Sequence, residues 1–142
     1  MKQVLIEIKG TQQYAQADSD VTTFTTVGTL EQADDMLTLS YLESEMIGAK
    51  GVKTNLIIEN GKKMTLVRSG GMESRMTVEK GRRHSCLYNT PQGDFVLGVY
   101  GDEVIAEIGE TQGKLYLSYT LDINSGLLSK NIMEIKIKEI KG

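Results

Sequence analysis

Apolar and polar residues alternate with a period of two along most of the chain. The stretch VLIEIK places Val4, Ile6 and Ile8 on one face, and LYLSYTL does the same from Leu115 onwards. Alternation of this kind is typical of β-strands with one buried face. It predicts eleven strands, at 2–9, 21–32, 35–44, 51–59, 62–69, 72–80, 82–90, 94–100, 103–109, 114–123 and 131–140. No segment requires a sustained helix, although LEQADDML (30–37) is compatible with a single helical turn.

Short breaks with turn chemistry separate the predicted strands. Asn60-Gly61 suits a two-residue hairpin turn because both residues tolerate positive φ, and Gly70-Gly71, Gly101-Asp102 and Gln112-Gly113 mark further breaks. A sheet of many short strands leaves an edge exposed unless it curls on itself. We therefore predict an all-β fold, a closed antiparallel meander barrel of about 8–11 strands. The whole chain, residues 1–142, forms one domain of ordinary size.

Charge and composition exclude several classes of function. The formal net charge is −3, from 16 Lys and Arg against 19 Asp and Glu. Arg82 and Arg83 lie on opposite faces of a strand, so they form no single basic surface for nucleic acid. Lys2, Glu7 and Lys9 interrupt the amino-terminal apolar stretch, which excludes a secretory signal. No run approaches the roughly 18 apolar residues of a membrane helix. We expect a cytoplasmic protein without nucleic-acid binding or membrane insertion, and we leave its oligomeric state open.

The only histidine and the only cysteine of the chain lie close together, in RHSCLYNTPQGDF (83–95). His84 and Cys86 share a strand face about 6.6 Å apart, which is too far for a direct thiol–imidazole hydrogen bond. One histidine and one cysteine also fall short of the three protein ligands of a catalytic zinc. We therefore predict no catalytic residues, no metal site and no cofactor. Cys86 is predicted to be an inert, buried thiol, and it has no second cysteine for an internal disulfide.

Arg68 is the charged residue that the pattern most strongly connects with a ligand. It shares a face with Met64 and Leu66, so its guanidinium points inward if those two line the interior. An arginine cannot shed its proton, and a buried charge is costly without a partner such as a carboxylate, a water cluster or an anionic ligand. The alternative is that Arg68 reaches solvent or pairs with a nearby carboxylate such as Glu73.

Three further side chains complete the predicted ligand site. Tyr119 shares the face of the leucines in LYLSYTL, and Tyr88 shares the face of Cys86. Their hydroxyls can complete a clamp for a carboxylate or phosphate group, and His84 lies on the same face as Tyr88. The predicted ligand-binding residues are Arg68, His84, Tyr88 and Tyr119.

Several stretches keep a recognisable order along the chain: YLES (41–44), KTNLIIENGKKMTLVRSGGM (53–72), GRRHSCLYNTPQGDF (81–95) and GKLYLSYTLDIN (113–124). Within them stand Arg68-Ser69-Gly70, the corner of Tyr88, Thr90, Pro91 and Gly93, and the strand from Leu117 to Leu121. With these motifs the chain resembles the YwiB-like family of small bacterial proteins over nearly its whole length. The resemblance implies a calycin-like, lipocalin-type β-barrel. It implies no activity, and no catalytic residue is carried over.

Three functions are compatible with such a barrel. The leading hypothesis is a non-enzymatic binder of a small amphiphilic or anionic molecule in the barrel interior, by analogy with other barrels. The second is an enzyme of unknown type that uses polar groups of the barrel as acid and base. The third is a protein-interaction module whose barrel is filled solid. The volume of the interior would separate the third hypothesis from the other two.

Overall fold

The described part of the chain consists of ten β-strands. The computed structural model describes residues 2–14, 19–42, 53–69, 74–90, 93–123 and 126–140. The strands are β1 (Lys2–Tyr14), β2 (Ser19–Ala33), β3 (Met36–Leu42), β4 (Lys53–Glu59), β5 (Lys63–Ser69), β6 (Ser74–Glu79), β7 (Arg83–Thr90), β8 (Gly93–Ile108), β9 (Gln112–Ile123) and β10 (Gly126–Glu139). No residue within the described ranges is helical.

The ten strands form one closed antiparallel meander barrel. Each strand pairs with its neighbours along the chain, and β1 pairs with β10 to close the ring. This closing pair runs from Val4 opposite Glu139 to Tyr14 opposite Ser129. The predicted closed antiparallel barrel is confirmed. The described ranges also contain no helix with the length and hydropathy needed to cross a membrane.

The barrel has two different ends. At one of them, which we call the turn end, short turns join β2 to β3, β4 to β5, β6 to β7 and β8 to β9. At the other, which we call the far end, β1, β3, β5, β7 and β9 finish, and the connections that follow them lie outside the described residues. The interior of the barrel is apolar near the turn end and contains more polar side chains near the far end.

The interior nearer the turn end is an apolar core. Alternate residues of each strand point inward, as the period-two pattern requires. Its most completely buried apolar side chains, each less than 2% exposed, are Val4, Ile6, Leu39, Leu56, Met64, Val78, Val99, Leu115, Leu117 and Ile135. Burying one such side chain contributes about 1.5–3 kcal/mol, so this core supplies the main driving force for closing the barrel.

The strands predicted at 94–100 and 103–109 form a single strand, β8. Gly101-Asp102 is not a turn but a β-bulge, at which the register with β9 shifts. The backbone of Gly101 binds the β6–β7 turn instead, and its amide donates to the Arg82 carbonyl at 3.1 Å. A Cβ at position 101 would overlap the backbone of Glu79. The glycine therefore permits a close backbone approach, and the prediction of a chain reversal here is wrong.

Residues 30–37 form no helical turn. β2 continues to Ala33, which pairs with Met36, so Asp34-Asp35 is a two-residue hairpin loop. Asp34 has φ of 54°, a conformation that aspartate tolerates better than most residues. The acidic pair therefore reverses the chain between two strands.

The predicted turn at Asn60-Gly61 has the expected backbone. Asn60 and Gly61 have φ of 54° and 65°, and the Lys62 amide donates to the Glu59 carbonyl at 3.1 Å. Because Glu59 pairs with Lys63, the loop contains three residues and not the predicted two. The positive φ at both positions is confirmed.

Gly61→Val should lower the free energy of unfolding by about 1–2 kcal/mol, because a Cβ is strained at positive φ. Apart from the two neighbouring residues of the chain, no atom lies within 4 Å of the place that a Cβ would take, so the loss would report backbone strain alone. Urea unfolding followed by circular dichroism measures the effect. Gly61→Asn is the matched control and should lose less, since asparagine adopts this conformation more readily. An unchanged midpoint for Gly61→Val would contradict the turn assignment.

Candidate functional site

Three inward positions near the far end of neighbouring strands form what we call the arginine row: Tyr41 on β3, Thr54 on β4 and Arg68 on β5. The register pairs Tyr41 with Thr54 and Thr54 with Arg68, so the three residues lie side by side on the wall. Tyr41 and Thr54 are buried, and the Nε atom of Arg68 is shielded from solvent. Met64 and Leu66, which share the face of Arg68, are buried core residues.

A second polar set lies on the opposite wall, and we call it the tyrosine row: Gln12 on β1, Asn131 on β10 and Tyr119 on β9. Asn131 pairs with Gln12 on one side and with Tyr119 on the other. Asn131 and Tyr119 are buried. The Asn131 amide donates to the hydroxyl of Ser129 at 3.1 Å, and the Tyr14 hydroxyl donates to Gln12 at 2.8 Å. This wall is therefore polar but well ordered by its own hydrogen bonds.

Arg68 and Tyr119 face each other across the barrel. They lie on β5 and β9, which are separated by three strands in the ring. Burial raises the pKa of the Tyr119 hydroxyl above its usual value, and the positive charge of Arg68 partly opposes this rise. Arg68 and Tyr119 are thus two predicted site residues that lie on facing walls of the barrel.

The two side chains present hydrogen-bond donors at neutral pH. Arginine stays protonated in proteins, and the raised pKa keeps the Tyr119 hydroxyl protonated as well. Donors that approach from opposite walls suit the oxygens of a carboxylate or phosphate, and charge-assisted hydrogen bonds to such groups are the stronger kind. A buried phenol with a raised pKa is a poor general base, so the pair is suited to binding and not to proton abstraction.

The other two predicted site residues are placed differently. Tyr88 pairs with Ser74, and Ser74 pairs with Arg68, so its backbone continues the arginine row; its side chain lies outside the described residues. His84 lies four residues nearer the turn end on β7. Its Nε2 atom is 3.0 Å from a carboxylate oxygen of Glu79. The described contacts therefore associate His84 with Glu79 and not with Arg68.

Cys86 is buried in the wall of the barrel, with 5% of its surface exposed. Its thiol donates a hydrogen bond to the Arg75 carbonyl at 2.9 Å. Burial is the main influence on the pKa of the thiol and raises it above the usual value. The described residues contain no group of three or more side chains suited to hold a metal ion.

Two inward polar residues, Gln12 and Ser129, escape the sequence pattern. Apolar alternation predicts β1 only to residue 9 and β10 only from residue 131, whereas the strands extend to Tyr14 and back to Gly126. Gln12 and Ser129 therefore fall outside the predicted strands. The signal that finds them is parity: Gln12 continues the inward series of Ile6 and Ile8.

Native Cys86 should react with a maleimide at least tenfold more slowly than a free thiol at pH 7, because the thiolate is the reactive form and burial disfavours it. Mass spectrometry of timed samples measures the rate. Protein unfolded in urea is the control and should react at the rate of a small thiol. Native labelling at that same rate would show that the thiol is accessible.

Stability should depend on Glu79 in acid. The hydrogen bond from His84 holds the pKa of Glu79 below its ordinary value of 4.5, with a further contribution from the charge of Arg82. A carboxylate with a lowered pKa stabilises the fold fully above the ordinary value, and the contribution disappears as pH falls through the folded-state pKa. Urea unfolding should therefore show Glu79→Gln less stable than native protein at pH 6. The difference should shrink steadily below pH 4.5, and a constant difference would refute this contribution.

Comparison with solved structures and with known families identifies a similar structure and the family of the chain. A solved structure described as "Crystal structure of ywiB protein from Bacillus subtilis" matches this chain with a TM-score of 0.83 at 18% sequence identity. The match covers 99% of this chain and 93% of that chain, and it confirms the predicted resemblance to the YwiB-like family. No curated protein matches. A family model described as "Domain of unknown function (DUF1934)" matches residues 6–135, and the chain therefore belongs to the DUF1934 family.

Proposed function

We propose that this protein is a non-enzymatic binding barrel, in which Arg68 and Tyr119 hold a small anionic molecule near the far end of the interior. The observation that carries the proposal is that Arg68 and the buried Tyr119 occupy inward positions on facing walls, on β5 and β9, with three strands between them in the ring. A guanidinium among inward side chains is costly unless negative charge or hydrogen-bond acceptors compensate it. A bound anion would add charge-assisted hydrogen bonds to the contacts that Arg68 already makes within the barrel.

The surroundings of the pair favour a polar anion. Thr54 and Ser129 are fully buried hydroxyls, and Asn131 is a buried amide. All three belong to or adjoin the two polar rows, and they make this end of the interior polar. Binding sites for small molecules usually combine a few polar groups of this kind with an apolar floor.

The apolar core beneath the rows favours a compact ligand. Leu56 on β4, Met64 on β5 and Leu117 on β9 are each less than 2% exposed. Side chains packed to this degree leave no water-sized space beside them for a long hydrocarbon tail. A carboxylate or phosphate with a small body therefore fits the proposal better than a fatty acid does.

Titration of native protein with phosphate, acetate, benzoate and laurate tests the proposal. The Arg68 Nε–H signal in a ¹H–¹⁵N spectrum reports binding at the guanidinium itself. We expect at least one of the compact anions to shift it with saturation, and laurate to bind no more tightly than acetate. Tyr119→Phe should weaken binding about tenfold, because a hydrogen bond to a charged group contributes about 1.5 kcal/mol.

Arg68→Met should abolish the binding seen by calorimetry, while Arg68→Lys should retain part of it, since the charge remains. Arg75→Met is the matched control, because Arg75 lies on β6 with its side chain exposed to solvent. Circular dichroism establishes that each variant is folded. If no anion shifts the Arg68 signal, or if Arg68→Met binds as tightly as Arg75→Met, the proposed site is wrong.

A further inference from the structure

The pairing between β6 and β7 is the weak point of the barrel wall. These strands form one regular pair, Ser74 with Tyr88, and one isolated bridge, Glu79 with Arg82. On either side the pairing is continuous, with six pairs between β5 and β6 and eight between β7 and β8. We call the stretch between the two points of contact, residues 75–78 facing 83–87, the seam.

A shift of register explains why the seam lacks a ladder. Continuing the pairing of Glu79 with Arg82 along both strands would place Ser74 opposite Leu87. Ser74 instead pairs with Tyr88, so the β7 side carries one extra residue between the two contacts. An extra residue of this kind leaves backbone groups unaligned and locally disrupts the hydrogen-bonded ladder. The extra residue on the β7 side thus explains why backbone pairs are missing between β6 and β7.

Side chains connect the two strands where the ladder does not. The Cys86 thiol donates to the Arg75 carbonyl at 2.9 Å. The His84 imidazole contacts the Glu79 carboxylate at 3.0 Å, and Arg82 lies 3.8 Å from the same carboxylate. The chain's only histidine and only cysteine both serve this seam. The two residues therefore lie close together in the sequence because both connect β7 to β6.

The seam also lies next to the proposed anion site. Arg68 pairs with Ser74 across β5 and β6, and Ser74 pairs with Tyr88 across the far end of the seam. A separation of β6 from β7 would therefore begin one strand away from the guanidinium. Val78 and Cys86, which face inward along the seam, are buried and would be exposed by such a separation.

We propose that the barrel opens laterally at the seam and that this opening is the route by which the anion reaches Arg68. The route to Arg68 rests on the proposed function, whereas the opening itself does not. Toward the far end β6 would move with β5 and β7 with β8, since those pairings are continuous, while the β6–β7 turn stays bonded to Gly101 of β8. The Cys86 and His84 contacts hold the seam closed between openings.

Hydrogen exchange measured by mass spectrometry tests the opening without any ligand. Amides of residues 75–78 and 84–87 should exchange at least tenfold faster than those of residues 115–118 on β9, after correction for intrinsic rates. Cys86→Ala should accelerate exchange at the seam further, while Ser85→Ala, a change at the exposed neighbouring position, should not. Equal protection at the seam and on β9 would overturn the proposal, as would a uniform acceleration over the whole barrel in Cys86→Ala.

A cross-link tests the route. Thr77→Cys with Ser85→Cys places one thiol on each side of the seam, and oxidation joins them, with peptide mapping to establish which cysteines are linked. The locked protein should exchange its seam amides at least tenfold more slowly than the same protein reduced. It should also bind phosphate and benzoate at least tenfold more slowly, with the final affinity unchanged.

The outcomes separate the two proposals. If neither anion binds native protein, the proposed function fails, and the exchange data alone decide whether the seam opens. If an anion binds locked and reduced protein at the same rate, the seam is not its route, although the site at Arg68 stands. If locking leaves seam exchange unchanged, the lateral opening itself is refuted.

Discussion

The backbone pairing of β1 with β10 is the interaction on which the rest of the structure depends. Eleven residues of each strand pair in register, from Val4 with Glu139 to Tyr14 with Ser129. This pairing converts a meander with two exposed edges into a ring whose backbone groups are bonded on both sides of nearly every strand. Once the ring is closed, every strand must present one face to an enclosed interior, and a slip of one residue would turn that face outward.

Closure explains why polar residues in the interior have large consequences. The apolar core near the turn end excludes water, so the polar groups nearer the far end interact in a medium of low dielectric constant. Arg68 and Tyr119 occupy inward positions on facing walls, where solvent screens charge less than it does on an outer surface. The Asn131 amide is correspondingly satisfied by Ser129. The same enclosure that stabilises the fold therefore makes the two rows the chemically distinctive part of the molecule.

The sequence predicts what is local and misses what depends on distant strands. The inward parity of Met64 and Leu66, and the shared face of Leu115 with Tyr119, follow from alternation alone, so the closed all-β fold could be predicted. Which walls face each other depends on the number of strands in the ring, and the sequence left that at about 8–11. For that reason, parity could place Arg68 and Tyr119 on inward faces but could not place them opposite each other.

Other differences have the same physical origin. Gly101-Asp102 consists of residue types that are common in turns. Only the packing of the β6–β7 turn against the backbone of Gly101 shows that a glycine is needed there for close contact. The contact of His84 with Glu79 depends in turn on the register shift between two strands. The polar ends of β1 and β10 were missed because the prediction followed apolar residues. Gln12 and Ser129 keep the parity of their strands although they are polar.

The irregular pairing of β6 and β7 also bears on solubility. Two strands that separate expose unpaired backbone groups, and such edges are templates on which further chains can add. The arginines along this part of the wall bear on that hazard. Arg82 lies beside the Glu79 carboxylate, whereas the side chain of Arg75 on β6 is exposed to solvent, so two copies that approach along the edge of β6 bring like charges together. Cationic side chains beside an irregular seam thus allow a barrel wall to be weak without becoming a nucleus for aggregation.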